Sequence, residues 1–329
     1  MFYCNFPLDL ATGTLSSHTR GLKLSAALGA ALLMAAAPVS AYAAEGGFSV
    51  YGLGGAGFNA GITPPAGTYV TPLAGLYTGV IDVGSTVGGV PVSAGARVGF
   101  FQSGVNLLYV PEVKALDGQV GFSVTVPVGY IALAADVSVG NASLSREVEG
   151  PGLGDIIPKV QIGWSSGTFF NTVYASAVLP TGKYNPGFSA STGLHRPAID
   201  MGWAFTYIEP QTKIQFNAQA GVTFNFINTE TDYQSGTEFH LDWAVGKDFG
   251  NGITAGVVGY NYRQLTDDSG SGARLGGYKG SVDAIGLGLN YSTEFGTQPV
   301  SLSFRHYREF NAVNRFEGST TLATATFAF

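Results

Sequence analysis

Few side chains in this sequence could do chemistry, and the most informative are charged residues that alternate with apolar ones. His240 and Asp242 flank Leu241, so in a β-strand both point away from the apolar face. Arg305 has the same relation to Phe304. The residues that we place on such a polar, inward path are Asp200, His240, Asp242, Arg263, Arg305, Tyr307 and Glu309. An inward charge needs water or a partner, which predicts either an internal network of ion pairs or the polar lining of a solute path.

A hydrolytic site is a further interpretation of the same region. Ser235 precedes His240 by five residues, and a Ser-His hydrolase needs the two within hydrogen-bond reach, with a third group that orients the base. Residues five apart in a strand point to opposite faces. We therefore predict that the protein is not an enzyme and keep a lipid hydrolase as the less favoured alternative.

Two short motifs have the spacing of ligand sites. Gly52-Leu-Gly54-Gly-Ala-Gly57 matches the dinucleotide-binding pattern, but the Thr63-Pro64-Pro65 that follows does not open the helix that would bind a pyrophosphate. The oxygen-rich run from Asp267 to Gly272 lacks the twelve-residue spacing and final Glu of an EF-hand. We predict neither a cofactor nor a metal.

The first 44 residues have the composition of an export signal. Arg20 and Lys23 precede an almost unbroken apolar run over 24–37, and Ala41-Tyr42-Ala43 is a small-x-small cleavage sequence. The run is shorter than the roughly 20 residues that cross a membrane as a helix. We predict that residues 1–44 are a signal peptide.

The composition of the remaining chain excludes several classes of protein. Without Arg20 and Lys23 the 16 basic residues become 14, and without Asp9 the 22 acidic residues become 21, for a net charge near −7. This balance argues against nucleic-acid binding. Removal of Cys4 leaves no cysteine and hence no disulfide or thiol chemistry. Charged residues make up 12% of the chain, against about 25% in soluble proteins, and such a deficit is typical of a barrel whose outer face touches lipid.

Period-two alternation dominates the sequence after Thr68. From Ile214 to Phe226, seven apolar residues share one face and polar residues share the other, a pattern that leaves little room for a helix. Twelve such segments are predicted, at 68–82, 93–111, 118–140, 155–165, 168–180, 198–209, 212–227, 238–249, 252–264, 281–294, 299–310 and 318–329.

The links between these segments alternate in length. The short links are 113–117, 165–168, 209–212, 249–252 and 295–298, and the longer ones are 83–92, 141–154, 181–197, 228–237, 265–280 and 311–317. Bacterial outer-membrane barrels have short periplasmic turns, longer external loops and an even number of strands. The sequence thus predicts an all-β fold, a transmembrane antiparallel β-barrel of about 12 strands over 68–329. A soluble β-sandwich explains the alternation but neither the low charge nor the rhythm of the links.

The two ends of the predicted barrel have distinct roles. The Gly- and Pro-rich residues 45–67 are too short for a domain, and we predict that they form a partial plug inside or across the periplasmic mouth. The last strand, which ends on Phe329, resembles the closing strand of a bacterial outer-membrane β-barrel, and this resemblance implies that the barrel-assembly machinery recognises Phe329.

Several local signatures resemble the meta-pathway phenol-degradation family of outer-membrane proteins, which includes sphingosine-induced (SphA-type) porins. They are Gly154-Asp155, Gly163-Trp164, the run 180–184, the run 228–236 with His240-x-Asp242-Trp243, the run 259–270, Tyr307-Arg308-Glu309-Phe310 and the run 314–318. Residues 189–197 depart from the family pattern. The resemblance implies a channel in the outer membrane of a Gram-negative bacterium for passive uptake of small hydrophobic or aromatic compounds, with membrane lipid as its surroundings. A filled barrel with a structural or surface-recognition role is the alternative.

Overall fold

The computed structural model of the protein describes residues 45–87, 90–187, 189–273 and 277–329. The predicted signal peptide lies outside the described residues. Within the described ranges the helical content is one 3-10 turn at Glu45–Gly47, and no helix is long and apolar enough to cross a membrane.

Fourteen β-strands follow this turn. They are β1 (Gly67–Val87), β2 (Val90–Val110), β3 (Lys114–Ala115), β4 (Gly118–Val139), β5 (Ala142–Leu153), β6 (Ile157–Ser166), β7 (Phe169–Val178), β8 (Ala198–Ile208), β9 (Ile214–Asn225), β10 (Glu238–Gly250), β11 (Ile253–Gln264), β12 (Ser281–Phe295), β13 (Gln298–Val313) and β14 (Glu317–Ala328).

Twelve of these strands form a closed antiparallel barrel. Each wall strand pairs with its neighbours in sequence, β2 pairs with β4, β4 pairs with β6, and the ring closes where β1 pairs with β14. The two-residue β3 and the strand β5 pair only with β4 and lie outside the ring. The predicted twelve-stranded barrel is confirmed. The five links predicted to be short fall at one end, which we call the short-turn end, and the opposite end is the long-loop end.

Alternation along each strand separates an apolar outer face from a lumen face. In β9, Phe216 and Phe224 are exposed on the outer face, whereas Gln215 and Asn217 are buried in the lumen. Leu287 of β12 keeps 70% of its surface exposed on the outer face. An exposed apolar surface of this extent needs lipid around it.

The region predicted as an external loop over 141–154 is instead strand β5. It pairs with the upper half of β4, from Val128↔Leu153 to Val139↔Ala142. The predicted long link over 83–92 is likewise mostly strand, since pairing of β1 with β2 continues to Val87↔Val90. Both segments carry polar residues on the outer face. The sequence prediction assumed apolar residues there, because it assumed that lipid surrounds every strand.

The strands β1, β2, β4 and β5 therefore extend beyond the rest of the barrel. Pairing of β1 with β14 ends at Val80↔Glu317, while the other three ladders continue for several more residues. We call residues 81–87, 90–97, 132–139 and 142–149 the four-stranded extension. Below it, β5 ends at Leu153 and β6 begins at Ile157; between them, the Gly154 N–H donates to the carbonyl of Pro127.

Candidate functional site: the barrel lumen

Residues 45–66, the inner segment, lie against lumen-facing side chains along the length of the barrel. The segment contacts the long-loop end through Glu45, the middle of β10 through Gly54, and β7 at the short-turn end through Thr63. Gly67 then begins β1. The glycines and prolines of the inner segment do not favour a regular strand. Side chains of the wall, rather than a neighbouring strand, therefore bind the backbone groups of the segment.

Asp242 is the main anchor of the inner segment. Its carboxylate accepts hydrogen bonds from the Tyr51 hydroxyl (3.0 Å), the Gly54 N–H (3.0 Å) and the Ala56 N–H (2.9 Å). The side chain is buried, with 1% of its surface exposed. The motif that resembles a nucleotide-binding loop therefore does hold an anion with backbone N–H groups, but the anion is a wall carboxylate of the same chain.

His240 and Asp200 form a second buried pair beside this anchor. His240 Nε2 lies 2.8 Å from Asp200 Oδ1, and Asp200 also accepts from the Thr223 hydroxyl at 2.8 Å. The ring of Tyr51 stacks on the imidazole, with centroids 3.4 Å apart. The inner segment thus covers the pair, and Tyr51 links it to Asp242.

Arg305, Tyr307 and Glu309 face the lumen from β13, as the alternation predicts. Arg305 Nη1 donates to the carbonyls of Gly54 (3.1 Å) and Gly55 (2.7 Å), and the Tyr307 hydroxyl donates to Gly54 (3.0 Å). Glu309 instead bonds within the wall: it accepts from the hydroxyls of Tyr77 and Tyr260 (2.8 Å each) and from the Gly318 N–H (2.7 Å). Two of the three residues hold the inner segment, and the third joins the strands β1, β11, β13 and β14.

Arg263 lies on the other face and is the exception among the predicted lumen residues. Its cross-strand partner is Phe239, whereas the adjacent pair Tyr262↔His240 faces inward. Its guanidinium is 44% exposed and forms an ion pair with Asp283 at 2.6 Å. Because neighbouring residues of a strand alternate between faces, a charge beside the inward Tyr262 has to point outward.

The lower part of the inner segment packs closely on the wall. Asn59 N–H donates to Asn217 Oδ1 (2.9 Å), and Gly61 N–H donates to the Thr206 hydroxyl (3.0 Å). A Cβ on Gly61 would lie 2.4 Å from the backbone of Phe205, so glycine is needed for this approach. The Phe58 ring is buried beside Gly246 and Gly288: a Cβ on Gly246 would lie 2.3 Å from the ring, and one on Gly288 would lie 3.0 Å from it.

The upper end of the inner segment is clasped by residues that the sequence did not single out as a site. The Glu45 carboxylate accepts from Tyr184 (3.1 Å), Asn228 (2.8 Å) and Thr231 (2.6 Å), which lie in two long loops. Burial and the adjacent Glu45 charge raise the pKa of Tyr184 to about 12, so its hydroxyl stays protonated and donates at neutral pH.

Arg196 and Glu238 complete this upper clasp. Both are fully buried, with Arg196 Nη2 3.7 Å from Glu238 Oε1. Arg196 also donates to the carbonyl of Phe48 at 2.9 Å, and Glu238 accepts from the Ser49 hydroxyl. Arg196 lies within residues 189–197, which depart from the family pattern. This departure was the sequence feature that could have pointed to Arg196 as a site residue.

The residues weighed for hydrolysis and for metal binding have other partners. The Ser235 hydroxyl accepts from Arg196 and from the Glu45 N–H, while His240 bonds Asp200. The Asp268 carboxylate accepts from Tyr233, Gly236 and Gln264, within its own loop cluster. Within the described part of the chain, no three His, Cys, Asp or Glu side chains group as metal ligands.

Comparison with known families identifies the chain. The family described as "Putative MetA-pathway of phenol degradation" matches residues 81–324, most of the barrel. The chain belongs to this family. A search among curated proteins finds no match.

Several solved structures superpose on the chain. An outer-membrane channel of Pseudomonas putida F1 superposes with a TM-score of 0.56 at 13% identity, over 82% of this chain and 98% of that one. A FadL homologue of Pseudomonas aeruginosa has a TM-score of 0.41 at 7% identity, with coverages of 89% and 95%. The translocator domain of the autotransporter NalP of Neisseria meningitidis has 0.41 at 11%, with coverages of 81% and 90%. Of these three structures, the first has a TM-score high enough to indicate a shared fold.

Proposed function

We propose that this family member is a channel in the outer membrane of a Gram-negative bacterium for passive uptake of small hydrophobic or aromatic molecules, and that the inner segment is its plug. One observation carries the proposal: the lumen is occupied by a separate segment of chain, held by side-chain contacts. A segment without a strand ladder can leave the lumen while the wall stays intact.

The number of strands supports an interior that has room for a solute. Eight strands enclose a space that wall side chains alone can fill, and 16 to 18 leave an aqueous channel. Twelve strands fall between these limits. The inner segment occupies the space that remains, and its departure opens a path of the width of an extended chain.

The family description and the apolar outer wall favour an apolar solute. The description refers to phenol degradation, and a pathway of that kind needs aromatic compounds to enter the cell. Passage requires binding that is favourable yet weak enough for release. The aromatic residues of the lumen wall, among them Tyr260 and Tyr307, offer such weak contacts once the segment moves.

The filled structural barrel is the competing function, and the cluster of Glu309 with Tyr77 and Tyr260 gives it support. That cluster joins strands and leaves no free polar group for a solute. This cluster, however, lies on one part of the wall, that of strands β1, β11, β13 and β14. The inner segment, not the cluster, occupies the central space.

Membrane insertion in this proposal involves the assembly machinery through Phe329. Its backbone N–H and carbonyl pair with Thr68 at the closing seam, while its ring is two-thirds exposed. The short-turn end, where Phe329 lies, is the periplasmic end in barrels of this kind.

Reconstitution tests the proposal directly. Purified protein in planar bilayers is expected to give discrete openings, and in liposomes it should speed the entry of phenol and toluene over protein-free vesicles. A variant that lacks residues 45–58 is expected to conduct more than the full chain. Absence of both conductance and solute entry in the full chain and in the deletion variant would leave the structural barrel as the better function.

A further inference from the structure

The four-stranded extension reverses the polarity of the barrel wall. Lower in the barrel the outer face is apolar and the lumen face polar. In the extension, cross-strand pairing places Asp82, Asp136 and Glu147 on the outer face. The inward face is mainly apolar and includes Ile81 and Leu133, although Arg146, opposite Ala135, also lies on it. A concave apolar surface therefore stands above the lumen, outside the lipid-facing band.

An aromatic cluster forms the floor of this surface. Phe48 of the inner segment stacks on Phe316, with ring centroids 5.5 Å apart and planes inclined by 28°. Its edge-on contact with Tyr77 has a centroid distance of 6.1 Å and an angle of 78°. Both are preferred geometries of aromatic pairs. Ala96 and Ile131 pack around the same cluster, so a benzyl group already occupies a site with aromatic and aliphatic walls.

We propose that this position, between Phe316, Tyr77 and the apolar inward face of the extension, is a binding site for a small apolar aromatic molecule, which displaces the Phe48 ring. The occupant is inferred from the group that the site now holds. This inference rests on the proposed function and names where the solute first binds and how it acts on the plug.

Displacement of Phe48 couples binding to opening. Arg196 holds the Phe48 carbonyl, and Glu238 holds the adjacent Ser49, so Phe48 is part of the upper clasp. A ligand that takes the place of its ring binds only when this part of the segment has moved. Such a ligand shifts the population towards the moved state by its differential affinity.

Binding of para-fluorotoluene to the full-length protein in detergent, followed by fluorine NMR, tests the site. Phe48→Ala removes the internal competitor, so its affinity is expected to be about tenfold higher than that of wild type. Phe48→Ala combined with Phe316→Ala should lose this gain. Phe304→Ala, on the lipid-facing surface, is the matched control for partition into detergent and should behave as wild type.

Two results would overturn the site: equal affinity of wild type and Phe48→Ala, or a gain that survives Phe316→Ala. Heat-modifiable migration on gels checks that each variant is folded, and Phe48→Leu serves in place of Phe48→Ala if the latter does not fold. The readout needs no transport. A protein that binds as expected but neither conducts nor admits solutes would refute the channel and support the site. A protein that conducts but shows no gain in affinity for Phe48→Ala would support the channel and refute the site.

Discussion

Asp242→Asn is the sharpest test of how the inner segment is held. The carboxylate accepts three hydrogen bonds from the segment, at 2.9–3.0 Å, in a site closed to water. Asparagine keeps one acceptor oxygen and turns an NH₂ group towards a backbone donor. Loss of one or two bonds to a charged group, each worth about 1.5–3 kcal/mol, weakens the hold by about 3 kcal/mol. That corresponds to an increase on the order of a hundredfold in the ratio of released to held segment.

Single-channel recording in planar bilayers measures this ratio as open probability. Asp248→Asn is the matched control, since Asp248 lies exposed on the same strand and accepts a hydrogen bond from the Gly250 N–H of its own turn. Asp242→Asn is expected to open far more often than wild type, and Asp248→Asn to match wild type. Equal open probabilities in the two variants would mean that Asp242 does not restrain the plug, or that opening does not require the segment to move.

Further predictions concern other contacts of the segment and the wall. Gly61→Ala brings a Cβ into the backbone of β8 and should lower the free energy of unfolding in urea by about 1–3 kcal/mol; an unchanged midpoint would contradict the close packing. Tyr184→Phe removes one of three donors to Glu45, at a cost of about 0.5–1.5 kcal/mol, so open probability should rise less than for Asp242→Asn. Arg263→Gln should leave conductance unchanged, and a changed conductance would place this side chain in the pore. Deletion of Phe329 should reduce the amount of protein in the outer membrane, while protein refolded in detergent keeps its heat-modifiable migration; equal amounts in cells would argue against recognition of this residue.

The strands were predictable because lipid on one side and a polar lumen on the other impose a strict alternation. Segment 212–227 and strand β9 (Ile214–Asn225) agree for this reason. The same rule missed β5, because above the lipid its outward positions are occupied by residues such as Glu147 and Glu149. The outward position of Arg263 could have been predicted from the sequence, because the neighbouring residue Tyr262 falls on the inward face of the strand.

The contacts of the inner segment could not be predicted from its residues. Gly54 and Ala56 bind Asp242 through backbone N–H groups, and such donors are the same in every sequence. Glu45, Arg196 and Glu238 come together from three separate regions of the chain, and no local pattern joins them. The sequence therefore indicated an inward set of charges and a plug over residues 45–67, but not the contacts that join the two.

In the proposed channel, the covalent link between the inner segment and β1 determines how opening proceeds. Gly67 starts the first wall strand, so a segment released from the lumen stays tethered at the short-turn mouth. A tether of about 20 residues keeps its free part at an effective concentration in the millimolar range. Reinsertion is then a unimolecular step, whose rate does not depend on how much protein the membrane contains. In this proposal each barrel opens and recloses independently of its neighbours, because the segment that leaves the lumen stays attached to the same barrel.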